Sequence, residues 1–264
     1  MKYKIDNDLH IHSELSLCSC DAEMNAENIL KYARKNGLAT ICITDHFWDS
    51  AVDGATPWYA QMNYEYISKI LPLPQAEDVR FLFGCETELK LDLTLGISKE
   101  RMDSFDFIVI PTTHFHMSSF TIPEESTASA ELLAGEWIDR LDAVLDMDLP
   151  FHKVGIAHLT CVLIAPEREK YLDVLRALPE DEMKRVFTKA AQRGVGIELN
   201  ADDICFTDEE ADVVLKPYKI AKACGCKFYL GSDAHHPFEL EGAPARFERV
   251  VDLLELTEDD KFVI

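Results

Sequence analysis

The sequence predicts an α/β fold in which seven parallel strands close into a TIM-like barrel with helices on the outside. Short apolar runs alternate with longer amphipathic runs along the whole chain, and this alternation is typical of βαβ units. Seven such units within 264 residues favour a closed barrel over an open sheet. No Gly-rich phosphate loop follows any of the strands, which argues against a doubly wound nucleotide-binding fold.

The predicted elements follow from the period of the apolar residues. Short apolar runs predict strands at residues 3–10, 38–44, 79–85, 105–112, 154–158, 194–199 and 228–231. Amphipathic runs predict helices at residues 26–36, 64–71, 130–146, 180–193, 209–223 and 245–256. No linker, repeat or low-complexity stretch separates them, so residues 1–264 are expected to form one domain.

Composition and charge exclude several classes of protein. Apolar residues make up 47% and charged residues 28% of the chain, which is typical of a folded globular protein and not of a disordered one. No apolar run is long enough to span a membrane, and the start, MKYKIDNDLHIHSE, does not read as a secretory signal. With eight cysteines and no C-x-x-C pair, a reduced, cytoplasmic protein is expected. The net charge of −22 without a basic stripe argues against nucleic acid or a membrane as a partner.

Every predicted strand ends in residues that can bind a metal ion. The strand-end motifs are DLHIHS (His10, His12), ITDH (Asp45, His46), GCE (Glu86), TTH (His114), IAH (His158), IELN (Glu198, Asn200) and GSDAH (Asp233, His235). Because the carboxyl ends of parallel barrel strands open onto one face, these side chains are expected to converge. A single buried His is usually a hydrogen-bonded core residue, but six of the nine histidines lie at such positions. Imidazole and carboxylate ligands together suit Zn, Mn or Fe.

These motifs resemble those of the PHP (polymerase and histidinol phosphatase) family in order, spacing and position along almost the whole chain. The resemblance implies a distorted seven-stranded barrel and a multinuclear site of two to three divalent ions. The ligand set that it implies is His10, His12, Asp21, His46, Glu86, His114, His158, Asp233 and His235. It assigns His10, His12, Glu86 and Asp233 to a first ion, and Glu86, His114 and His158 to a second. Asp21, His46 and His235 would hold a third ion, and the catalytic residues would be Glu86, Asp233 and His235.

For several positions in this ligand set, the sequence also offers a competing residue or a structural role. Cys18 and Cys20 compete with Asp21, which could instead cap the helix that begins near residue 25. Glu88 competes with Glu86, and His116 competes with His114, although the first of each pair matches the family. Asp45, Glu198 and Asn200 could orient ligands or serve only local structure, Asp45 as a helix cap. His152 and His236 look additional, and Arg168 and Arg246 are the candidates for gripping a phosphate.

Two segments bear on the substrate. The Tyr-containing segment 63–70 resembles the histidinol phosphatase branch of the family, whereas HLTCVLIAPE, which begins at His158, departs from the His-Pro-Asp pattern of that branch. The resemblance implies hydrolysis of a small phosphate monoester, a histidinol-phosphate-like metabolite among the candidates, by a metal-activated hydroxide. Aromatic residues near the strand ends could wall a small pocket or pack in the core: Phe47, Trp48, Trp58, Tyr59 and Phe115.

Three other functions remain as alternatives. An amidohydrolase-like enzyme also carries His-x-His on its first strand, but it needs a Lys at the end of a middle strand, and none falls there. A PHP-type nuclease would need basic residues along its substrate path. A metal-binding module without activity would be expected to lack ligands, and no ligand position is lost here. The sequence does not predict an oligomeric state.

Overall fold

The strands of the computed structural model, which describes residues 1–264, all run parallel. They are β1 (Asn7–Ile11), β2 (Thr40–Ile43), β3 (His46–Phe47), β4 (Arg80–Phe83), β5 (Cys85–Thr87), β6 (Ile108–Pro111), β7 (Val154–Ala157), β8 (Gly196–Asn200) and β9 (Lys227–Gly231). Hydrogen bonding joins them in the orders β1-β2-β4 and β3-β5-β6-β7-β8-β9. This arrangement confirms the predicted α/β class with parallel strands.

Two short interruptions explain why nine segments appear where seven strands are predicted. Residues 44–45 separate β2 from β3, and Gly84 separates β4 from β5. Each interrupted strand therefore pairs first in one sheet and then in the other. The last strand lies beside the first, where Ile11 and Ala234 form a parallel bridge and Asp233 N donates to His10 O at 2.7 Å. These contacts complete a seven-stranded ring.

Nine α-helices accompany the strands. They are α1 (Ala26–Asn36), α2 (Tyr64–Ile67), α3 (Lys99–Met102), α4 (Ala130–Asp146), α5 (Arg168–Ala177), α6 (Glu180–Arg193), α7 (Ala211–Val214), α8 (Lys216–Ala223) and α9 (Pro237–Leu253). The bounds of α1, α4 and α6 are those predicted. The run at 209–223 is divided into α7 and α8, α9 begins eight residues earlier than predicted, and α3 and α5 were not predicted. None of the helices combines the length and the apolar composition that a membrane span requires.

Apolar packing occurs on both sides of the ring. One large cluster of buried side chains joins the strands to the helices. A second, smaller cluster takes side chains from β1, β2, β4, β6, β7 and β9 together with Phe262. Because these strands lie around the ring, their side chains can meet only in its interior, which is packed as in other barrels. The polar strand ends lie beyond this packed interior.

Candidate metal centre

The carboxyl ends of four strands bring the predicted donors to one place. His10 lies on β1, His46 begins β3 and Glu86 lies on β5, while His158 directly follows β7. Glu86 is central to the group and is only 2% exposed. The structure therefore brings together residues that are far apart in the chain, as expected for the open face of a parallel barrel.

The two carboxylate oxygens of Glu86 face different histidines. Its Oε2 lies 3.8 Å from His10 Nε2, 3.5 Å from His12 Nε2 and 2.7 Å from His46 Nδ1. Its Oε1 lies 3.3 Å from His158 Nε2 and 3.9 Å from His114 Nε2. One carboxylate thus separates two sets of imidazoles, which is the arrangement that a ligand shared by two ions requires.

Three buried polar atoms in this group have no hydrogen bond of suitable geometry, although potential partners lie close by: His10 Nε2, His12 Nε2 and Glu86 Oε2. Burying such atoms without a partner costs free energy. Asp233 Oδ1 lies near them, 3.0 Å from His12 Nε2 and 3.4 Å from His10 Nε2. A divalent cation among these atoms would satisfy all of them, so the donor set fits a metal ion. The trio of Glu86, His114 and His158 offers a second set of donors.

Hydrogen bonds to Nδ1 leave the Nε2 atoms of three histidines free to bind an ion. Glu198 Oε1 lies 2.7 Å from His10 Nδ1, and Glu88 Oε2 lies 2.6 Å from His114 Nδ1. Thr113 Oγ1 lies 3.2 Å from His158 Nδ1. Such outer partners fix the tautomer and orientation of a metal-binding imidazole. Sequence reasoning missed Thr113 and considered Glu88 only as a rival ligand, although its i, i+2 spacing from Glu86 signals that both face the same side of the strand.

Glu198 connects the two sets of donors. Its second oxygen, Oε2, accepts from His158 N at 2.6 Å. Asn200 Nδ2 donates to the same oxygen at 3.2 Å and lies 3.3 Å from Asp233 Oδ2. Between the two alternatives for Glu198 and Asn200, these contacts favour orientation of the donors.

A third group of possible ligands contains His12, Cys18, His46 and His235, whose donor atoms all lie within 4.8 Å of one another. Asp21 is not in this group, because its carboxylate instead lies 3.1 Å from His236 Nδ1. Asp21 does not cap α1 either, since Asn25 occupies the N-cap position and accepts from Asn28 N. In this geometry the Asp21 carboxylate lies outside the third group, and its role as the third ligand stays a prediction.

The remaining residues considered from the sequence make contacts outside the three groups of donors. Asp45 accepts from the backbone N and Oγ of Ser13, both at 2.6 Å, so it fastens the loop after β1 and is not a helix cap. Arg168 pairs with Glu210, and Arg246 pairs with Asp202. His152 lies exposed on the 3₁₀ turn before β7. Neither arginine nor His152 contributes to the pocket described next.

A cavity of about 330 Å³ opens onto the donors. Eleven residues line it, and none of them is Lys or Arg. Besides the candidate ligands, its wall contains Trp58, Tyr59, His116, Met117 and Leu163. Two of the predicted aromatic residues therefore line the pocket, whereas Phe47, Trp48 and Phe115 are buried in the core.

Burial and mutual attraction shift the pKa values of the donors in opposite directions. Burial opposes the charged form of Glu86, but the imidazoles of His46, His10 and His158 outweigh it and hold its pKa well below the usual range. In the same way, burial opposes ionisation of Asp233, whereas His10 and His12 lower its pKa. Both carboxylates are therefore anionic at neutral pH, as cation ligands must be.

The Cys18 thiol shows a related shift. Partial loss of hydration beside the pocket disfavours its thiolate, yet hydrogen bonding with His235 and His46 lowers its pKa to about 6. A thiolate is the form of cysteine that binds metal ions.

Two of the predicted ligands adopt left-handed backbone conformations. The φ angles of His158 and Asp233 are 30° and 53°. For residues other than Gly, such conformations cost roughly 1–3 kcal/mol and are concentrated at functional sites. The hydrogen bonds of His158 N to Glu198 and of Asp233 N to His10 O hold both turns in place.

A parallel barrel whose strand ends carry converging imidazole and carboxylate donors is typical of a metal-dependent hydrolase. The PHP domain family matches residues 8–202. The chain belongs to the PHP domain family, which confirms the resemblance stated from the motifs. Membership also confirms the predicted enzyme class, a metal-dependent phosphoesterase.

Comparison with solved structures supports the fold. Histidinol phosphate phosphatase from Lactococcus lactis subsp. lactis, complexed with Zn, L-histidinol and phosphate, aligns with a TM-score of 0.56 and 16% identity over 92% of this chain and 93% of that chain. A chain of an archaeal ribonuclease P complex with mature tRNA aligns over 97% of this chain and 96% of its own, at a TM-score of 0.36 and 11% identity. The second likeness supports no inference. No curated protein matches the chain.

Proposed function

We propose that the protein hydrolyses a small phosphate monoester at a site of two to three divalent ions, with Zn, Mn and Fe as the candidates. The observation that carries this proposal is the position of Glu86, whose two oxygens face two separate sets of histidines. His10, His12 and Asp233 would complete one site, and His114 and His158 would complete the other. When bound, such ions supply Lewis acidity to phosphoryl oxygens and lower the pKa of water.

The chain's own residues would hold the donors in place before substrate arrives. Glu198 and Glu88 orient His10 and His114 through Nδ1, and Asn200 links Glu198 to Asp233. His235 Nδ1 lies 2.8 Å from the backbone oxygen of Asp233, which directs its Nε2 away from that oxygen. Such preorganisation means that little rearrangement is needed as the phosphate binds.

The pocket supports a small substrate with a single phosphate. Because no Lys or Arg lines the cavity, the charge of the phosphate would be balanced by the metal ions, which dominate the local field. The cavity wall has no Lys or Arg that could pair with a second anionic group on the substrate. Trp58, Met117 and Leu163 offer apolar and aromatic surface to the organic part. An amino-alcohol phosphate fits this description, and the Lactococcus phosphatase described with L-histidinol and phosphate supports that choice.

The charge of the whole chain supports a metabolite over a nucleic acid. Binding several backbone phosphates requires several Lys or Arg contacts, whereas this chain has a net charge of −22. We expect no cleavage of nucleic acid as the main activity.

The experiment compares two kinds of substrate on the same metal-loaded protein. Hydrolysis of p-nitrophenyl phosphate, histidinol phosphate and several sugar phosphates is measured beside degradation of a single-stranded oligonucleotide, with Zn or Mn added. A sample treated with chelator is the first control, and Glu86→Gln is the second. Turnover of one or more monoesters that depends on metal and on Glu86 supports the proposal. Faster cleavage of the oligonucleotide with negligible monoester turnover would overturn it.

A further inference from the structure

The third group of donors contains a sulfur atom where the family resemblance leads one to expect a carboxylate. The Sγ atom of Cys18 lies within 4.8 Å of donor atoms of His12, His46 and His235. These residues come from three parts of the barrel: the loop after β1, the start of β3 and the turn after β9. This group combines a soft sulfur donor with imidazoles, whereas the two sets of donors around Glu86 contain only oxygen and nitrogen atoms.

The loop after β1 fixes the position of the Cys18 side chain. Ser16 Oγ lies 3.1 Å from His12 Nδ1 and 3.2 Å from Cys18 Sγ, so one hydroxyl contacts both candidate ligands. Ser19 Oγ donates to His235 O at 2.6 Å, which ties the loop to the turn after β9. Cys20 then adopts a φ of 51°, and the chain turns at this residue.

After this turn, the Asp21 carboxylate contacts residues outside the third group of donors. Its Oδ1 accepts from Glu23 N at 3.0 Å, and its Oδ2 lies 3.1 Å from His236 Nδ1. Both oxygens are therefore engaged outside the group of donors. Asp21 could join that group only if these two contacts were broken.

We propose that Cys18, and not Asp21, completes the third metal site together with His46 and His235, and that its thiolate makes this site selective for zinc over manganese. His12 lies at the border between this site and the first one. Thiolate ligands favour Zn and similar soft or borderline ions, whereas Mn prefers oxygen ligands. This inference rests on the proposed metal-dependent function and adds to it the ligand and the metal preference of one site.

The first test uses Co²⁺ as a spectroscopic substitute for zinc. A bound thiolate gives an intense sulfur-to-cobalt charge-transfer absorption in the near ultraviolet, which imidazole and carboxylate ligands do not give. Titration of the metal-free protein with Co²⁺ should produce this band in the wild type, in Cys20→Ser and in Asp21→Asn. Cys18→Ser should lack the band and bind one Zn fewer per chain after dialysis. A band that persists in Cys18→Ser, or one that is lost in Asp21→Asn, would overturn the proposal.

The second test needs no variant and therefore does not depend on a variant folding. Cys18 and Cys205 are both exposed, so iodoacetamide can reach either thiol in the metal-free protein. Stoichiometric Zn should slow alkylation of Cys18 at least about tenfold while leaving Cys205 unchanged, as measured by peptide mass spectrometry. Equal alkylation of Cys18 with and without Zn would contradict the proposal. A protein that shows the thiolate signature but hydrolyses no monoester would refute the proposed function alone, so the two failures are distinguishable.

Discussion

Glu86 is the residue on which the internal geometry of the metal centre depends. It lies on the short strand β5, which pairs with β3 on one side and with β6 on the other, and its side chain is nearly inaccessible to water. Five imidazoles approach its two oxygens. Removing this carboxylate would therefore alter both sets of donors, whereas removing a single His would alter one.

Glu86→Gln is expected to lower kcat/KM for a monoester by at least about 100-fold, because the amide removes one negative charge and one of the two donor oxygens. The variant should also retain less Zn per chain, as measured by elemental analysis after dialysis. Glu65→Gln, which changes an exposed glutamate, is the matched control and should retain full activity. Equal activity of Glu86→Gln and wild type would refute the shared-ligand role.

Glu88→Gln tests orientation instead of ligation. The amide weakens the hydrogen bond to His114 Nδ1, so Zn affinity at the second site is expected to fall about 10–100-fold. Competition with a chromophoric chelator measures this affinity. Tyr59→Phe is the matched control, because Tyr59 OH donates to the same oxygen, Glu88 Oε2, at 2.9 Å, and this hydroxyl makes no hydrogen bond to His114. If Tyr59→Phe lowers the Zn affinity as much as Glu88→Gln does, Glu88 does not act by orienting His114.

At the scale of elements, prediction from sequence succeeded where the local signals were strong. Helix α1 begins at the cap Asn25 and ends at Gly37 in a left-handed conformation, and α6 ends at Gly194 in the same way. The start of α9 was missed because Pro237 and Pro244 suggest a loop, yet Pro237 occupies the first turn, where proline is tolerated, behind a capping box formed by His236 and Glu239.

The positions of the strand-end donors could also be predicted from strong local signals. The proposed preference for Cys18 over Asp21 could not be predicted from sequence. A His or a carboxylate after an apolar run signals its position from local sequence alone. The loop after β1, in contrast, takes its conformation from contacts with distant residues, such as that of Ser19 with His235. The helix α5 was missed although Tyr171, Leu172, Val174 and Leu175 follow a helical period.

The approach of β9 to β8 depends on a glycine. A side chain at Gly231 would overlap with the Glu198 carboxylate and crowd His10 Cβ. Glu198 can therefore reach His10 and His158 only because position 231 has no Cβ.

Gly231→Ala is expected to destabilise the protein by about 1–3 kcal/mol and to weaken Zn binding, since Glu198 must move. Urea unfolding and Zn titration measure the two effects. Gly135→Ala is the control: Gly135 lies within α4 with nothing near its added Cβ, so this change should stabilise the protein by roughly 0.5–1 kcal/mol. A neutral Gly231→Ala would show that Glu198 can adjust without loss.

At the scale of the whole molecule, metal binding and folding are expected to be coupled. The buried and unpartnered atoms of His10, His12 and Glu86 belong to the folded state only, so an ion that binds them favours that state. Zn at 100 times its dissociation constant contributes about 2.7 kcal/mol for one site, which corresponds to a rise in Tm of roughly 5–10 °C in a chain of this size.

Thermal unfolding followed by circular dichroism, with Zn and with excess chelator, measures this shift. Glu86→Gln is expected to show a smaller rise than the wild type under the same conditions. An identical Tm with Zn and with chelator would contradict the coupling.

The closure of the ring by β9 against β1 also sets a sequence of events during synthesis. His10 and His12 leave the ribosome well before Asp233 and His235, which follow β9. Until β9 pairs beside β1, a nascent chain holds only a fraction of the first and third donor groups, and contacts between such distant parts of a chain form slowly. Metal loading is therefore expected to be a late step that follows completion of the barrel, so a chaperone that delays ring closure would also delay the acquisition of the ions.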